Sequence, residues 1–293
     1  KVHDEVENNI SYRYTRSLGD VEKGFRESAY IREDTFRTAP INHAALEPHG
    51  CVAQWHSDGN LTAWADTQMP FLLQRGLANI MGVPDDRVRV IKTALGGGFG
   101  GKGGPLAHSF AASYMSRLTG RPVKIILSRE EEFLSTRQRH PITLRIKTGV
   151  KRDGTLVAQE LKVLADGGAY LSLGPLMLTI IYYQALLPYI LPNFSYDGIR
   201  AYTNKAIGGA MQGHGVPQMR FAVDCQLDMI AKELGVDPID IRLKNAIYMG
   251  YKHPVLTINS CGFKESIEKV AGDLRWRERK GKLPPDHGMG VAC

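Results

Sequence analysis

Two stretches of the chain have the alternating apolar and polar pattern of a β-hairpin. The first spans 50–67 and turns at 57–60, and the second spans 143–171 and turns at 151–154. Both turns contain Asp-Gly, which favours a tight connection between antiparallel strands. A further strand is predicted over 31–37, where the alternation is less regular.

Apolar residues at helical spacing predict helices between these strands. The predicted helices are 21–27, Pro70–Met81, 105–118, 223–234 and 238–246. Glycines at 82, 120 and 235 follow three of them, where left-handed helix ends are expected. The apolar stretch 167–192 is interrupted by glycine and proline, which predicts a buried helix with loops and no membrane span. Hairpins mixed with single helices favour an α+β fold of mixed sheets and helices over a doubly wound parallel sheet.

The composition is that of a folded globular protein. The chain has 293 residues, 43% hydrophobic and 23% charged, enough for one large or two ordinary domains. Its net charge of +7 is spread along the chain, and the basic run 275–282 predicts a solvated helix end, so we expect no nucleic-acid partner. The four cysteines stand far apart without a C-x-x-C pair, and the chain starts with polar residues. These features favour reduced thiols in a cytoplasmic protein.

The strongest local signal is the glycine-rich loop Gly96–Gly104, between a strand predicted at 88–91 and the helix at 105–118. Its first part fits the phosphate-binding pattern G-x-x-x-x-G-K, but Gly103 stands where that site needs a hydroxyl for magnesium. The glycines at 96, 98 and 101 fit the dinucleotide pattern G-x-G-x-x-G, with Glu130 after the next strand for a ribose hydroxyl.

A third interpretation makes Phe99 the centre of the loop. Glycines on both sides would let the ring project while backbone amides face an anion or a metal-bound oxygen. The loop by itself leaves these alternatives open, together with a simple bend that packs Phe99 into the core.

Five segments in order favour the third interpretation. They are "TQMPFLLQRGLANIMGVPDDRVRV", "GGGFGGK", "RQRHP", "GAMQGHGVPQ" and "DPIDIRLKNA". Together they resemble the first molybdenum-cofactor domain of the molybdenum hydroxylases, the family of xanthine dehydrogenase, aldehyde oxidase and 4-hydroxybenzoyl-CoA reductase. The resemblance extends from about residue 19 to the end of the chain. It implies the α+β fold of that domain and an oxidoreductase that exchanges oxygen with an aromatic, heterocyclic or aldehyde carbon.

The resemblance implies a role for several residues. Gln68, at a helix start, would hydrogen-bond a metal oxo group, although a helix cap is the alternative. Arg139 would be catalytic by steadying negative charge on the substrate, and an ion pair with the acidic run 129–132 is its alternative. The Gly100 amide would face the cofactor. The other implied cofactor-binding residues are Gly98, Phe99, Ala210, Gln212 and His214, and the residues beside the metal are Gln68, Phe99 and Gln212.

Three departures from the purine-oxidising members bear on the substrate. Gly103 replaces their glutamate, Gln212 their arginine, and His214 their ring-stacking phenylalanine. Xanthine is therefore not the expected substrate. The Gly-His-Gly segment is more similar to the 4-hydroxybenzoyl-CoA reductase branch, so an aromatic or N-heterocyclic compound is predicted.

The resemblance also implies cofactors and partners. These are molybdopterin, in its cytosine dinucleotide form, and iron–sulfur clusters and FAD on partner subunits or domains. Residues 1–18 would be the tail of a preceding domain, 19–260 the first cofactor-binding domain, and 261–293 the truncated start of a second, with an apolar strand near 287–293. The general-base glutamate of the family would lie in that second domain. Glu47 is expected to be a buried or capping carboxylate instead.

Two other functions stay open at this point. One is an NAD-dependent dehydrogenase that uses Gly96, Gly98 and Gly101. The other is a non-catalytic scaffold module with the same fold, which the replacements at Gly103 and Gln212 would permit.

Overall fold

The larger sheet of the protein has five strands in the order β1-β10-β9-β8-β2. They are Ile10–Leu18 (β1), Asn193–Ala201 (β10), Leu156–Asp166 (β9), Ile142–Val150 (β8) and Tyr30–Thr38 (β2), in a computed structural model that describes residues 1–293. Strands β9 and β10 are parallel and the other neighbours antiparallel. The hairpin predicted at 143–171 is confirmed as β8 and β9.

The core of this sheet follows from the alternation along its strands. Leu144 and Ile146 on β8 are buried with Leu161 and Val163 on β9. Helices α5 (Gly174–Ala185) and α6 (Val216–Leu234) pack against the same cluster. The buried helix predicted within 167–192 is therefore confirmed as α5.

The smaller sheet has four strands in the order β5-β4-β3-β6. They are Val88–Lys92 (β5), Leu61–Ala65 (β4), Gly50–Trp55 (β3) and Val123–Ile126 (β6). Helices α2 (Pro70–Met81) and α3 (Ala107–Thr119) pack on it and end in left-handed glycines at 82 and 120, as predicted. The hairpin predicted at 50–67 is confirmed as β3 and β4.

A two-residue parallel pair joins distant parts of the chain. It consists of β7 (Gln138–Arg139) and β11 (Gly208–Gly209). The pair places the segment after α4 (Arg129–Ser135) directly beside the segment that leads into α6. Two of the motifs singled out in the sequence thus become neighbours.

The remaining helices are α1 (Val21–Arg26), α7 (Pro238–Asn245), α8 (Phe263–Asp273) and α9 (Trp276–Arg279). The apolar strand predicted near 287–293 is wrong, because these residues have no regular structure and instead pack against α7 and α8. Residues 10–18, assigned from the sequence to a preceding domain, form β1 and pair with β10. The division of the chain into domains otherwise stays a prediction. No helix is both long enough and apolar enough to cross a membrane.

Candidate cofactor site

Two loops leave the small sheet at the same edge. Strands β4 and β5 are parallel, and Ala65 at the end of β4 pairs with Lys92 at the end of β5. Gln68 follows β4 by one short turn, and the glycine-rich loop follows β5. Because parallel strands end at a common edge, this topology alone brings the two motifs together.

Phe99 lies in a tight turn with an unusual backbone. The Gly101 amide donates to Gly98 O at 2.7 Å, and the two residues between them, Phe99 and Gly100, have φ angles of +53° and +102°. A bulky side chain in the left-handed region is strained, and such strain persists only where surrounding contacts impose it. Phe99 is 46% exposed, so the alternative of a core residue is wrong.

Gln68 holds this turn from one side. Its Oε1 accepts a hydrogen bond from the Gly100 backbone amide at 3.0 Å, and the backbone amide of Gln68 donates to Lys102 O at 2.9 Å. The Gly100 N–H was expected to face the cofactor, but it is already satisfied by Gln68. Since Oε1 is the accepting atom, the side-chain NH₂ of Gln68 remains as the outward donor.

The segment before α6 holds the turn from the other side. The Gln212 backbone amide donates to Phe99 O at 3.0 Å. A Cβ atom at Gly100 would lie 2.6 Å from Ala210 O, so only glycine permits this approach. His43 Nε2 lies 2.6 Å from the same carbonyl oxygen. His43 carries no signal in the sequence, because it belongs to none of the motifs.

Arg139 lies at the edge of the same cluster through β7. Its backbone amide donates to Ile41 O at 2.8 Å, and its Nη2 donates to Met211 O at 3.3 Å. Its Nε is buried without a partner. Arg139 makes no ion pair with the acidic run 129–132, so the alternative considered for it is wrong.

His214 stands just before α6 in a run of left-handed backbone. The φ angles are +36° at Gln212, +96° at Gly213, +41° at His214 and +98° at Gly215. Burial lowers the pKa of His214 to about 4, so its ring is neutral near pH 7, and its Nε2 is buried without a partner. The N-terminus of a long helix at this point favours an anionic group.

Lys102 lies buried beneath the glycine-rich loop. Its Nζ lies 2.7 Å from Glu47 Oε2 and 2.7 Å from Asp66 Oδ2, and the residue is only 2% exposed. Burial opposes ionisation of Glu47, but hydrogen bonds from Lys102 and the Gly96 amide outweigh it and lower the pKa of Glu47. Burial raises the pKa of Asp66 despite the contact with Lys102. Glu47 thus pairs with Lys102 as a structural carboxylate, but it is only half-buried and caps no helix, which differs from the expectation.

The two nucleotide-binding interpretations do not fit this geometry. A phosphate-binding lysine must be free to reach its ligand, whereas Lys102 is enclosed between two carboxylates. A dinucleotide fingerprint opens a helix with its glycines, whereas α3 begins at Ala107, well after Gly101.

The exposed side chains of this cluster fit a bound cofactor. Gln68, Phe99 and Gln212, the three residues predicted to lie beside a metal, are all exposed around the turn. Arg139 Nε and His214 Nε2 are buried polar atoms without partners, which calls for an explanation such as a ligand. Cβ atoms at Gly98 and Gly100 would contact Gln68 and Ala210 and so fill the space between them. A polar group such as a pterin fits the donors of Gln68 and Arg139.

Comparison with known proteins agrees with this geometry. The model of the molybdopterin cofactor-binding domain family matches residues 2–246. The chain is 37% identical over 292 residues to the xanthine dehydrogenase molybdenum-binding subunit of Escherichia coli O157:H7, covering 97% of this chain and 39% of that subunit. It is 37% identical over 254 residues to the nicotinate dehydrogenase large molybdopterin subunit of Eubacterium barkeri, covering 86% of this chain and 60% of the relative.

A solved structure has the same fold. The aldehyde oxidoreductase from Desulfovibrio gigas superposes with a TM-score of 0.88 at 26% identity, over 95% of this chain and 32% of that one. The chain belongs to the molybdopterin cofactor-binding domain family. The predicted resemblance to molybdenum hydroxylases and the predicted α+β fold are thereby confirmed. The chain spans less than two thirds of the length of each of these proteins.

Acid should destabilise this protein through one buried and two half-buried histidines. Burial lowers the pKa of His108 and of His214 to about 4, and burial with Arg200 nearby lowers that of His140 to about 3. The unfolded chain therefore binds protons first as the pH falls below about 6.5, and stability is lost progressively toward pH 4. We expect the melting temperature in calorimetry to fall between pH 7 and pH 5. The His108→Gln variant should show a shallower fall, and an unchanged slope would contradict the assignment.

Proposed function

We propose that this chain is the molybdopterin-binding part of a molybdenum hydroxylase that acts on an aromatic, N-heterocyclic or aldehyde substrate. The observation that carries the proposal is the exposed, strained turn at Phe99, bound by Gln68 on one side and by Gln212 on the other. The names of the two dehydrogenase relatives support it. The chain would be one part of the catalytic assembly and inactive alone.

Each residue of the site has a part in this proposal. The molybdenum cofactor, when bound, would supply oxygen exchange and two-electron redox chemistry. Gln68 would donate its free NH₂ to an oxygen at the metal, because its Oε1 is engaged with Gly100. The backbone of 210–214 would hold the pterin side at the start of α6. Arg139, with an unpaired Nε, would stabilise negative charge on the substrate.

The finer parts of the proposal concern the rest of the assembly. The cofactor would be the cytosine dinucleotide form, and iron–sulfur clusters and FAD on partners would carry electrons away. A second cofactor domain, beginning within 261–293, would supply the general-base glutamate. The four cysteines are free thiols in the fold, which supports a cytoplasmic location.

The substrate side of the proposal depends on Gln212 and His214. By the resemblance, His214 and Gln212 would take the places of the residues that stack and clamp the substrate in the purine enzymes, and here they are a neutral histidine and an exposed glutamine. A substrate other than xanthine is therefore proposed, with an aromatic or N-heterocyclic ring as the first choice.

Replacing Gln68 tests the proposal with a matched pair of variants. Gln68→Glu keeps an oxygen that accepts from Gly100 but removes the outward donor, whereas Gln68→Ala removes both. We expect Gln68→Glu in the full assembly to retain molybdenum by elemental analysis and to lose about 100-fold in turnover, the usual effect of one lost donor at a reacting oxygen. Gln68→Ala should also lose molybdenum.

Other outcomes would favour the alternative functions. A fully active assembly without molybdenum would reject the proposal. A change in NADH fluorescence on titration would support the dehydrogenase that uses Gly96, Gly98 and Gly101. Unchanged turnover after substitution of both Gln68 and Phe99 would indicate a scaffold module.

A further inference from the structure

A buried histidine lies directly beneath the glycine loop. His49 is 4% exposed, and its Nδ1 lies 2.8 Å and 2.9 Å from the two carboxylate oxygens of Glu132. Its Nε2 lies 3.3 Å from the carbonyl oxygen of Gly101. Because a carbonyl oxygen can only accept, Nε2–H donates to Gly101 O, while Glu132 holds Nδ1.

Glu132 is fixed firmly enough to hold that ring. It is 2% exposed and also accepts from the His49 backbone amide. Its helix, α4, begins with a capping box at Ser128. Lys102, a buried cation nearby, is engaged by Glu47 and Asp66. Glu132 is therefore the carboxylate that remains for His49, and β3, which starts directly after His49, fixes the other end of the contact.

The turn above needs such an anchor. Phe99 is strained, and contacts outside the turn oppose its relaxation. The Phe99–Gly100 peptide is held on both sides, its N–H by Gln68 and its carbonyl oxygen by Gln212. The Gly101 carbonyl oxygen is held by His49 alone. Loss of this bond would free the Gly101–Lys102 peptide.

We propose that His49, held by Glu132, is a positioning residue that fixes the Gly101 peptide and so sets the direction of Phe99 and Gly100. It touches no cofactor atom and acts through the loop. That this orientation of the loop serves cofactor binding rests on the proposed function. Its test measures the loop itself, so it can fail while the proposed function stands.

Two amide substitutions separate the two hydrogen bonds of His49. In His49→Gln, the side-chain nitrogen can take the place of Nε2 and donate to Gly101 O. In His49→Asn, it can take the place of Nδ1 and donate to Glu132 only. Both variants leave a buried site imperfectly paired, so both should lose similar overall stability. Only the asparagine variant should release the loop.

Hydrogen–deuterium exchange of peptides covering 93–106 in the full assembly measures this release. The Gly100, Gly101 and Gly103 amides are hydrogen-bonded within or beside the turn, so their exchange reports its rigidity. We expect exchange on the order of tenfold faster in His49→Asn than in the unsubstituted assembly, and near the unsubstituted rate in His49→Gln. Equal exchange in the two variants would overturn the proposal.

Glu132→Gln is a control that keeps the side-chain volume. Its amide oxygen can accept from the His49 backbone amide and its NH₂ can donate to Nδ1, so Nε2–H still donates to Gly101 O and loop exchange should stay near the unsubstituted rate. Glu132→Leu removes the group that holds Nδ1, so loop exchange should rise as in His49→Asn. If His49→Asn does not fold, Glu132→Leu decides, and an unchanged exchange rate in that variant would overturn the proposal.

Discussion

The Gly100→Ala variant should lose almost all bound cofactor. The φ angle of +102° at Gly100 is one that alanine rarely adopts, at a cost of about 1–3 kcal/mol. The new Cβ would also lie 2.6 Å from Ala210 O and 2.9 Å from Ala210 C, which are backbone atoms that cannot rotate away. Either the turn or the segment before α6 must move, and both line the site. Molybdenum and pterin content of the purified assembly should fall roughly tenfold or more, given the steep cost of a shifted binding backbone.

Gly59→Ala is the matched control for this prediction. Gly59 also has positive φ, +82°, but a Cβ there would meet nothing within 4 Å. This variant should therefore carry the backbone strain, about 1 kcal/mol, and keep its full cofactor content. Full cofactor content in Gly100→Ala would show that the close approach to Ala210 is not part of the site.

Local patterns in the sequence were sufficient for most of the elements. The Asp-Gly turns located both hairpins, and the glycines at 82, 120 and 235 located three helix ends, because these signals act over a few residues. Helix α6 was predicted from residue 223 but begins at Val216. Its first turn follows Gly213 and Gly215 and contains Pro217, so the pattern resembled a loop there.

The candidate site was less accessible to sequence reasoning because it depends on tertiary pairing. The motifs around Gln68 and Phe99 were identified, but the hydrogen bond between Gln68 and Gly100 joins residues from two loops. The same holds for His43 and His49, which carry no motif and gain their contacts only when the loop folds over them. Pairings of this kind leave no periodic signal in the chain.

Replacing Lys102 should cause the largest loss of stability of any change beneath the loop. The Lys102 side chain is 1% exposed and neutralises Glu47 and Asp66. Lys102→Met would leave both carboxylates without a cation, and breaking a buried pair in this way costs about 3–5 kcal/mol. The melting temperature of the protein should fall by about 10 °C, since each kcal/mol corresponds to roughly 2–4 °C in a domain of this size. The loss should be smaller at pH 5 than at pH 8, because protonation relieves an unpaired carboxylate.

Two further variants test whether charge is the cause. Asp66 is nearly fully buried, whereas the Glu47 side chain is 35% exposed and can be hydrated, so most of the cost arises at Asp66. Asp66→Asn in the Lys102→Met background should therefore recover a large part of the lost stability. Lys244→Met, which removes a cation from an exposed pair with Asp153, should change the melting temperature little. If Lys102→Met were as mild as Lys244→Met, the lysine would be filling space rather than balancing charge, and the loop would be held by its hydrogen bonds alone.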